Sequence, residues 1–262
     1  PTRPCFASRY LANGALDTSG FGLAGVFVAP AVAGITNAVA SGMAQLGDGK
    51  IIIAGTCGRS PVGFCVGRFT SAGALDTSFA TTGIAAINVG SDYSIANAML
   101  ALPDGAVVLG GQCLDNIRYV HFCLVRFIGN GNVDTSFGSS GTFVNPMIGT
   151  SGGEILRALA LQPDGKIVMG GQCFTTAGGI DFCLARASAA GAADASFGTA
   201  GNVTLAVAPV AREDRLHSLQ VMPDGRIVSV GGCVINSGGW FDLCAARHNT
   251  DGSVDASFGT GG

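Results

Sequence analysis

The chain has 262 residues, of which 48% are hydrophobic and only 12% charged, with 42 glycines and a net charge of -3. So high an apolar share excludes an intrinsically disordered chain. The 14 basic residues are scattered along its length, and only Lys50 and Lys166 are lysines, so there is no basic stripe for a phosphate backbone and nucleic acid is not an expected partner.

In chain order, the first recognisable element is Cys5-Phe6-Ala7-Ser8-Arg9, which has the pattern of a strand that recurs downstream. The stretch from Phe21 to Gly47 carries no charge and is long enough to raise a membrane span. Pro30 and several glycines interrupt it, and the corresponding later segments carry Asp92, Glu154, Arg157, Arg212 and Asp214, so it is read as two buried strands with no membrane-spanning segment. Asp48-Gly49 then announces a hairpin, because Asp-Gly between apolar segments fits the tight turn joining antiparallel strands. Lys50-Ile51-Ile52-Ile53-Ala54 behind it is too short for a helix and apolar on both faces, which predicts an interior strand.

From here the text repeats about every sixty residues. Arg9, Arg68, Arg126, Arg186 and Arg247 each follow a cysteine by three or four residues. Each is succeeded eight residues later by an aspartate: Asp17, Asp76, Asp134, Asp194 and Asp255. A glycine lies between them (Gly14, Gly73, Gly131, Gly191, Gly252), and Ser-Phe-Gly or a near relative follows. The Asp-Gly turn recurs at Asp104-Gly105, Asp164-Gly165 and Asp224-Gly225. Each unit reads as four strands: one after Ser-Phe-Gly, one before Asp-Gly, one after it, and one with the cysteine and arginine. Units fall near 11–70, 71–128, 129–188 and 189–249, with 1–10 as a surplus strand and 250–262 as a terminal turn. The expectation is a single all-β domain, a β-propeller of four four-stranded repeats plus one extra N-terminal strand. A parallel β-helix is the runner-up, disfavoured because Asp-Gly hairpins are antiparallel.

Leu75-Asp76-Thr77-Ser78-Phe79, with Leu161-Gln162-Pro163-Asp164-Gly165-Lys166-Ile167-Val168, resembles the delta-60 repeat of bacterial surface and secreted proteins. The resemblance covers nearly the whole chain and implies a propeller and an extracellular location; it brings no catalytic residue with it.

The nine cysteines suggest local pairs: Cys57 with Cys65, Cys113 with Cys123, Cys173 with Cys183, and Cys233 with Cys244. Each pair spans one hairpin, so antiparallel pairing can bring the side chains within bonding reach. A disulfide closing a loop of roughly ten residues contributes about 2.7 kcal/mol in the chain-entropy model. Such bridges imply an oxidising compartment, secreted or at the cell surface. Two thiolates per site fall short of the four ligands zinc takes, so no metal or other cofactor is expected. Cys5 is left over. It reads as the mark of a chain cut from a longer propeller, as a free or intermolecular thiol, or as part of a strand lent to another subunit. The missing initiator Met and leader are read as a mature or trimmed form.

Five copies of the arginine and aspartate pair argue for a structural clamp in every unit, since catalytic constellations are singular. His121, His217 and His248 occupy unrelated positions, and Glu154 and Glu213 form no evident pair, so the chain is expected not to be an enzyme. The segments between paired cysteines vary most. They supply Arg59, Arg118, Tyr119, His121, Trp240 and Phe241, a candidate partner face, although aromatic residues there also serve simply to cover hairpin tips. Two functions fit: a self-associating extracellular scaffold, assembling into a fibre by strand donation, or a monomeric module recognising a glycan or protein through these loops.

Overall fold

The computed structural model describes residues 6–28, 37–58, 62–149, 153–175, 179–207, 213–235 and 239–262, and their regular structure is entirely β-strand. β1 (Phe6–Ser8) and β2 (Val26–Val28) form a two-stranded sheet. Three four-stranded sheets follow in chain order. The first holds β3 (Val39–Gln45), β4 (Ile51–Cys57), β5 (Gly63–Phe69) and β6 (Ile84–Ile87). The second holds β7 (Ser94–Ala101), β8 (Val107–Leu114), β9 (Val120–Phe127) and β10 (Thr142–Val144). The third holds β11 (Ile155–Leu161), β12 (Ile167–Phe174), β13 (Ile180–Ala187) and β14 (Asn202–Leu205). A last sheet has three strands, β15 (Asp214–Val221), β16 (Ile227–Cys233) and β17 (Asp242–His248). Every sheet is an antiparallel meander, as expected of propeller blades.

Local chemistry explains the hairpins. At Asp48-Gly49 the glycine adopts φ +82°, its N–H donates to the Leu46 carbonyl at 2.9 Å, and Asp48 Oδ1 accepts the Lys50 N–H at 3.0 Å. Such a turn needs a residue free to take positive φ and a short acceptor before it, which Asp-Gly supplies. The first strand of each sheet carries a bulge, at Ala40/Gly42, Ala96/Ala98, Leu156/Ala158 and Leu216/Ser218. The bulge pushes a carbonyl towards the second strand, where a Cβ on Gly111 would lie 1.8 Å from the Ile95 oxygen. That contact accounts for the glycine two residues before each first cysteine.

The repeat is phased differently from the sequence expectation. The strand after Ser-Phe-Gly does not open the next unit; it pairs back onto the preceding arginine strand, β10 on β9 and β14 on β13. The cause is visible at Arg126, whose N–H donates to the Gly141 carbonyl at 3.1 Å while its carbonyl accepts the Asp134 N–H at 2.9 Å. The connecting segment is thus folded against the arginine strand and delivers β10 to its edge. The surplus N-terminal strand is corrected likewise: β1 has a mate, β2, with Phe6 opposite Val28 and Ser8 opposite Val26.

The core lies between sheets. Apart from Gln112, every residue of β8 is buried, because neighbouring sheets cover both of its faces. Phe122 of β9 packs with Leu156 of β11, and Phe182 of β13 with Leu216 of β15. The reading of residues 21–47 as two buried strands needs amendment. β2 and β3 form there, but β3 is largely exposed, with Met43 at 69%, because the sheet preceding it has two strands and leaves its face uncovered. No helix among the described residues is long and apolar enough to cross a membrane.

Candidate functional site

The five arginines and aspartates meet as pairs. Arg68 Nε donates to Asp76 Oδ2 at 2.8 Å, and Asp76 Oδ1 accepts the Ser78 hydroxyl at 2.6 Å. The arrangement recurs at Arg186 with Asp194 and Ser196 (2.8 Å) and at Arg247 with Asp255 and Ser257 (2.7 Å). Arg9 holds Asp17 at 2.8 Å, with the Gly20 N–H in place of the serine. Arg126 stands 3.2 Å from Asp134. The Ser78 hydroxyl, then the Lys50 ammonium and the Arg68 guanidinium, hold the Asp76 carboxyl well below the usual range, and Ser257 does most of the same for Asp255.

Four of the five arginines also cross to the next repeat, where Nη1 donates to a carbonyl: Arg9 to Ser71 and Arg68 to Gly129, both at 2.6 Å, Arg126 to Ala189 at 3.5 Å, and Arg186 to Thr250. Under the guanidinium lies the phenylalanine of Ser-Phe-Gly, 4.8 Å away for Arg68 over Phe79 and 4.5 Å for Arg186 over Phe197. That ring in turn covers the recurring glycine of the following repeat, so a Cβ on Gly131 would lie 2.9 Å from Phe79. With both carboxylate oxygens and the guanidinium fork engaged, this group fastens blades together. Sequence reasoning singled out the arginine and aspartate and overlooked the phenylalanine and glycine as its partners in the next blade; the signal was their equal constancy.

The cysteine pairs share one register, the second cysteine facing the glycine two residues before the first: Cys65 faces Gly55, Cys123 Gly111, Cys183 Gly171, and Cys244 Gly231. Cys173–Cys183 and Cys233–Cys244 are disulfides. The other two expected bridges are not closed: Cys57 shares a hydrogen bond with Cys65, and Cys113 and Cys123 are adjacent buried thiols. The hydrogen bond with Cys65 holds the Cys57 thiol below its ordinary value, whereas burial pushes Cys123 up. Register is common to all four, so each pair lies at the same place in its hairpin. Cys5 and Arg59 lie outside the described residues.

The remaining candidate face divides between two hairpins with the third sheet between them. In the β8–β9 hairpin Arg118 reaches Asp92 at 3.4 Å, Tyr119 is 40% exposed, and His121 is buried with Nε2 3.1 Å from Asp115. Before β17, Trp240 is 79% exposed and Phe241 packs under Arg215 at 5.0 Å. Phe241, Phe174, Ile180, Val234 and Glu213 line a cleft of about 370 Å³. Glu154 is buried elsewhere: its carboxylate accepts the N–H groups of Phe122, Ile148 and Gly149 while burial raises its pKa, so it latches the loop before β11. His248 is fully buried beside Ser229 and the Gly252 carbonyl. Among the described residues, no three His, Cys, Asp or Glu side chains are placed to hold a metal ion.

A family model described as "Domain of unknown function (DUF5122) beta-propeller" matches residues 46–79, 162–197 and 223–258, each running from an Asp-Gly turn to the Ser-Phe of the clamp. No curated protein matches the chain. Among solved structures, one similar chain is a GH43 beta-xylosidase/alpha-arabinofuranosidase from a compost microbial metagenome, solved with xylotriose. It has 12% identity and a TM-score of 0.44 over 83% of this chain and 76% of that one. Another is a protein of unknown function from Bacteroides caccae, with 10% identity and a TM-score of 0.30 over 87% and 83% of the two chains. Both likenesses are too loose to carry an argument. The family match and the antiparallel sheets together make this chain an all-β protein of β-propeller repeats.

Proposed function

We propose that the chain is a non-enzymatic extracellular scaffold, a β-propeller subunit that self-associates into a surface fibre by strand exchange at open sheet edges. One observation carries this reading: among the described residues β17 is paired on one edge, with β16, and its Leu243 is 93% exposed where Phe64, Phe122 and Phe182 at the same position are fully buried. Such an edge offers unpaired N–H and C=O groups to any strand of matching register. Two disulfides favour an oxidising compartment, and oxidation of the other two pairs would complete the set. The repeat is read as of the delta-60 kind, which agrees with a bacterial surface location. Light scattering and electron microscopy of the purified protein should show assemblies growing with concentration; a discrete particle of monomer mass at all concentrations would defeat the proposal.

A second reading, a monomeric module binding a glycan or protein, is favoured by the exposed Trp240 next in sequence to Phe241, which lines the cleft. Binding on a glycan array that Trp240→Ala abolishes would promote it.

A further inference from the structure

In three of the four sheets with an Asp-Gly turn, the turn aspartate and the clamp aspartate share a cation supplied by the residue just after the turn. Lys50 Nζ lies 3.6 Å from Asp48 and 3.1 Å from Asp76, and Lys166 Nζ lies 3.2 Å from both Asp164 and Asp194. Arg226 does the same at 2.6 Å from Asp224 and 3.0 Å from Asp255. With the clamp arginine beside them, two carboxylates meet two cations in each of these sheets. The ammonium positions are reachable from solvent, since the Lys50 and Lys166 side chains are 33% and 32% exposed.

The second four-stranded sheet keeps both aspartates and lacks that cation. Ala106 follows its turn, and Asp104 and Asp134 share one guanidinium, that of Arg126. Arg126 bridges them, with Nη2 on Asp104 at 2.8 Å and Nε 3.2 Å from Asp134, but that buried Nε makes no well-aligned hydrogen bond. The bridging draws it away from the next repeat: Nη1 is 3.5 Å from the Ala189 carbonyl, whereas Arg68, with Lys50 at its aspartate, reaches the Gly129 carbonyl at 2.6 Å. One negative charge is thus in excess where the neighbouring sheets are balanced. Beside it opens a cleft of about 490 Å³, lined by Asp104 and Arg126 together with the apolar Leu102, Pro103, Leu161 and Pro163. At the following junction the corresponding cleft, of about 410 Å³, is lined by Lys166 itself, next to Asp164 and Arg186. The side chain that edges that cleft is the one the second sheet is without.

We propose that this place binds a primary ammonium on an aliphatic stem, the chemistry of a lysine side chain, seated between Asp104 and Asp134 with its stem against Leu102 and Leu161. An ammonium is a compact charge with three donors, enough to serve both carboxylates as Lys166 does in the next sheet. Its arrival frees Arg126 from Asp104, and the guanidinium then extends to the Ala189 carbonyl as Arg68 and Arg186 extend to theirs. Binding therefore tightens the junction between the second and third four-stranded sheets. The site lies between two sheets that each have neighbours on both sides, and it does not depend on self-association.

The test is an NMR titration of the full chain with Nα-acetyl-lysine methylamide, against Nα-acetyl-norleucine methylamide as the same kind of stem without the charge. The lysine derivative should bind saturably and at least tenfold more tightly than the norleucine one, and should raise the melting temperature. Ala106→Lys fills the site from within, and Asp104→Asn removes one carboxylate while keeping the turn's acceptor for the Ala106 N–H; each should weaken binding at least tenfold. A crystal soaked with the lysine derivative should show a shorter Arg126 to Ala189 distance. A derivative bound more tightly than n-butylamine identifies a peptide lysine and the reverse a free amine, and both uphold the site. Equal binding of the two derivatives, no saturation in wild type, or undiminished binding in Ala106→Lys overturns it.

Discussion

The clamps of the second and third four-stranded sheets have the same residues and different reach. Arg186 has a side chain only 5% exposed, with Nε on Asp194, Nη1 on Gln162 and the Thr250 carbonyl, and Nη2 on Ser196. Lys166, just past the Asp-Gly turn, adds its ammonium to Asp194 at 3.2 Å. In the second sheet Ala106 stands where Lys50, Lys166 and Arg226 stand in the others. Arg126 turns its Nη2 onto Asp104 at 2.8 Å, leaves Asp134 at 3.2 Å, reaches Ala189 of the next repeat only at 3.5 Å, and is 21% exposed. The arginine thus faces the next blade where a cation opens the adjacent strand, and its own turn where alanine stands there.

The hardest way to break the better clamp is to remove its floor. Phe197→Ala should cost about 4 kcal/mol in urea melts, because a fully buried ring is lost and its cavity stays open. Next comes Arg186→Ala, which removes a buried guanidinium from Asp194, Gln162 and the Thr250 carbonyl at once and should cost about 3 kcal/mol, as expected when one member of a buried pair is removed. Arg126→Ala, in the more exposed and less engaged clamp, should cost about 1 kcal/mol. Equal losses at the two arginines would show that the difference in geometry has no energetic consequence. Conversely, Ala106→Lys should hold Asp104 and Asp134, release Arg126 towards the Ala189 carbonyl, and raise stability by less than about 1 kcal/mol, visible as a shorter Arg126 to Ala189 distance in a crystal structure.

Titration sharpens the comparison by separating the clamps from the rest of the last sheet. The clamp carboxyls are lowered in the fold, so their contribution is complete above the unfolded value of 3.8 and is lost as pH falls below it. His248 is lowered chiefly by burial, so its contribution is complete above the unfolded value of 6.5 and is lost as pH falls from there towards the folded value. Melts between pH 7.5 and 5 should therefore show a decline that His248→Phe removes, since Phe69 and Phe127 occupy that position elsewhere without a titrating group. A decline unchanged in His248→Phe would place the sensitive group elsewhere.

The hairpins were readable because their causes are local. Asp-Gly before an apolar run specifies a turn and two strands whatever surrounds them, and the cysteine pairs mark which strands lie side by side. The blade boundary was not readable for a different reason: in a periodic text any starting point describes the same letters. Only the backbone bonds of residues such as Arg126 reveal that the strand after Ser-Phe-Gly closes its own sheet rather than opening the next. The clamp was legible in half. Its arginine and aspartate are eight residues apart and meet within one unit, whereas the Phe79 on Gly131 contact joins units and leaves no local spacing to find.

The amino-acid sequence by itself determined an all-β repeat protein of antiparallel hairpins with strands apolar on both faces, since turn propensity and hydrophobic pattern act over a few residues. Tertiary structure alone decided the phase of the blades, the pairing of β1 with β2, and the contacts by which arginine, phenylalanine and glycine join one repeat to the next. Those features depend on which units stack and what each leaves uncovered, and stacking brings together residues some sixty positions apart that no short-range rule connects.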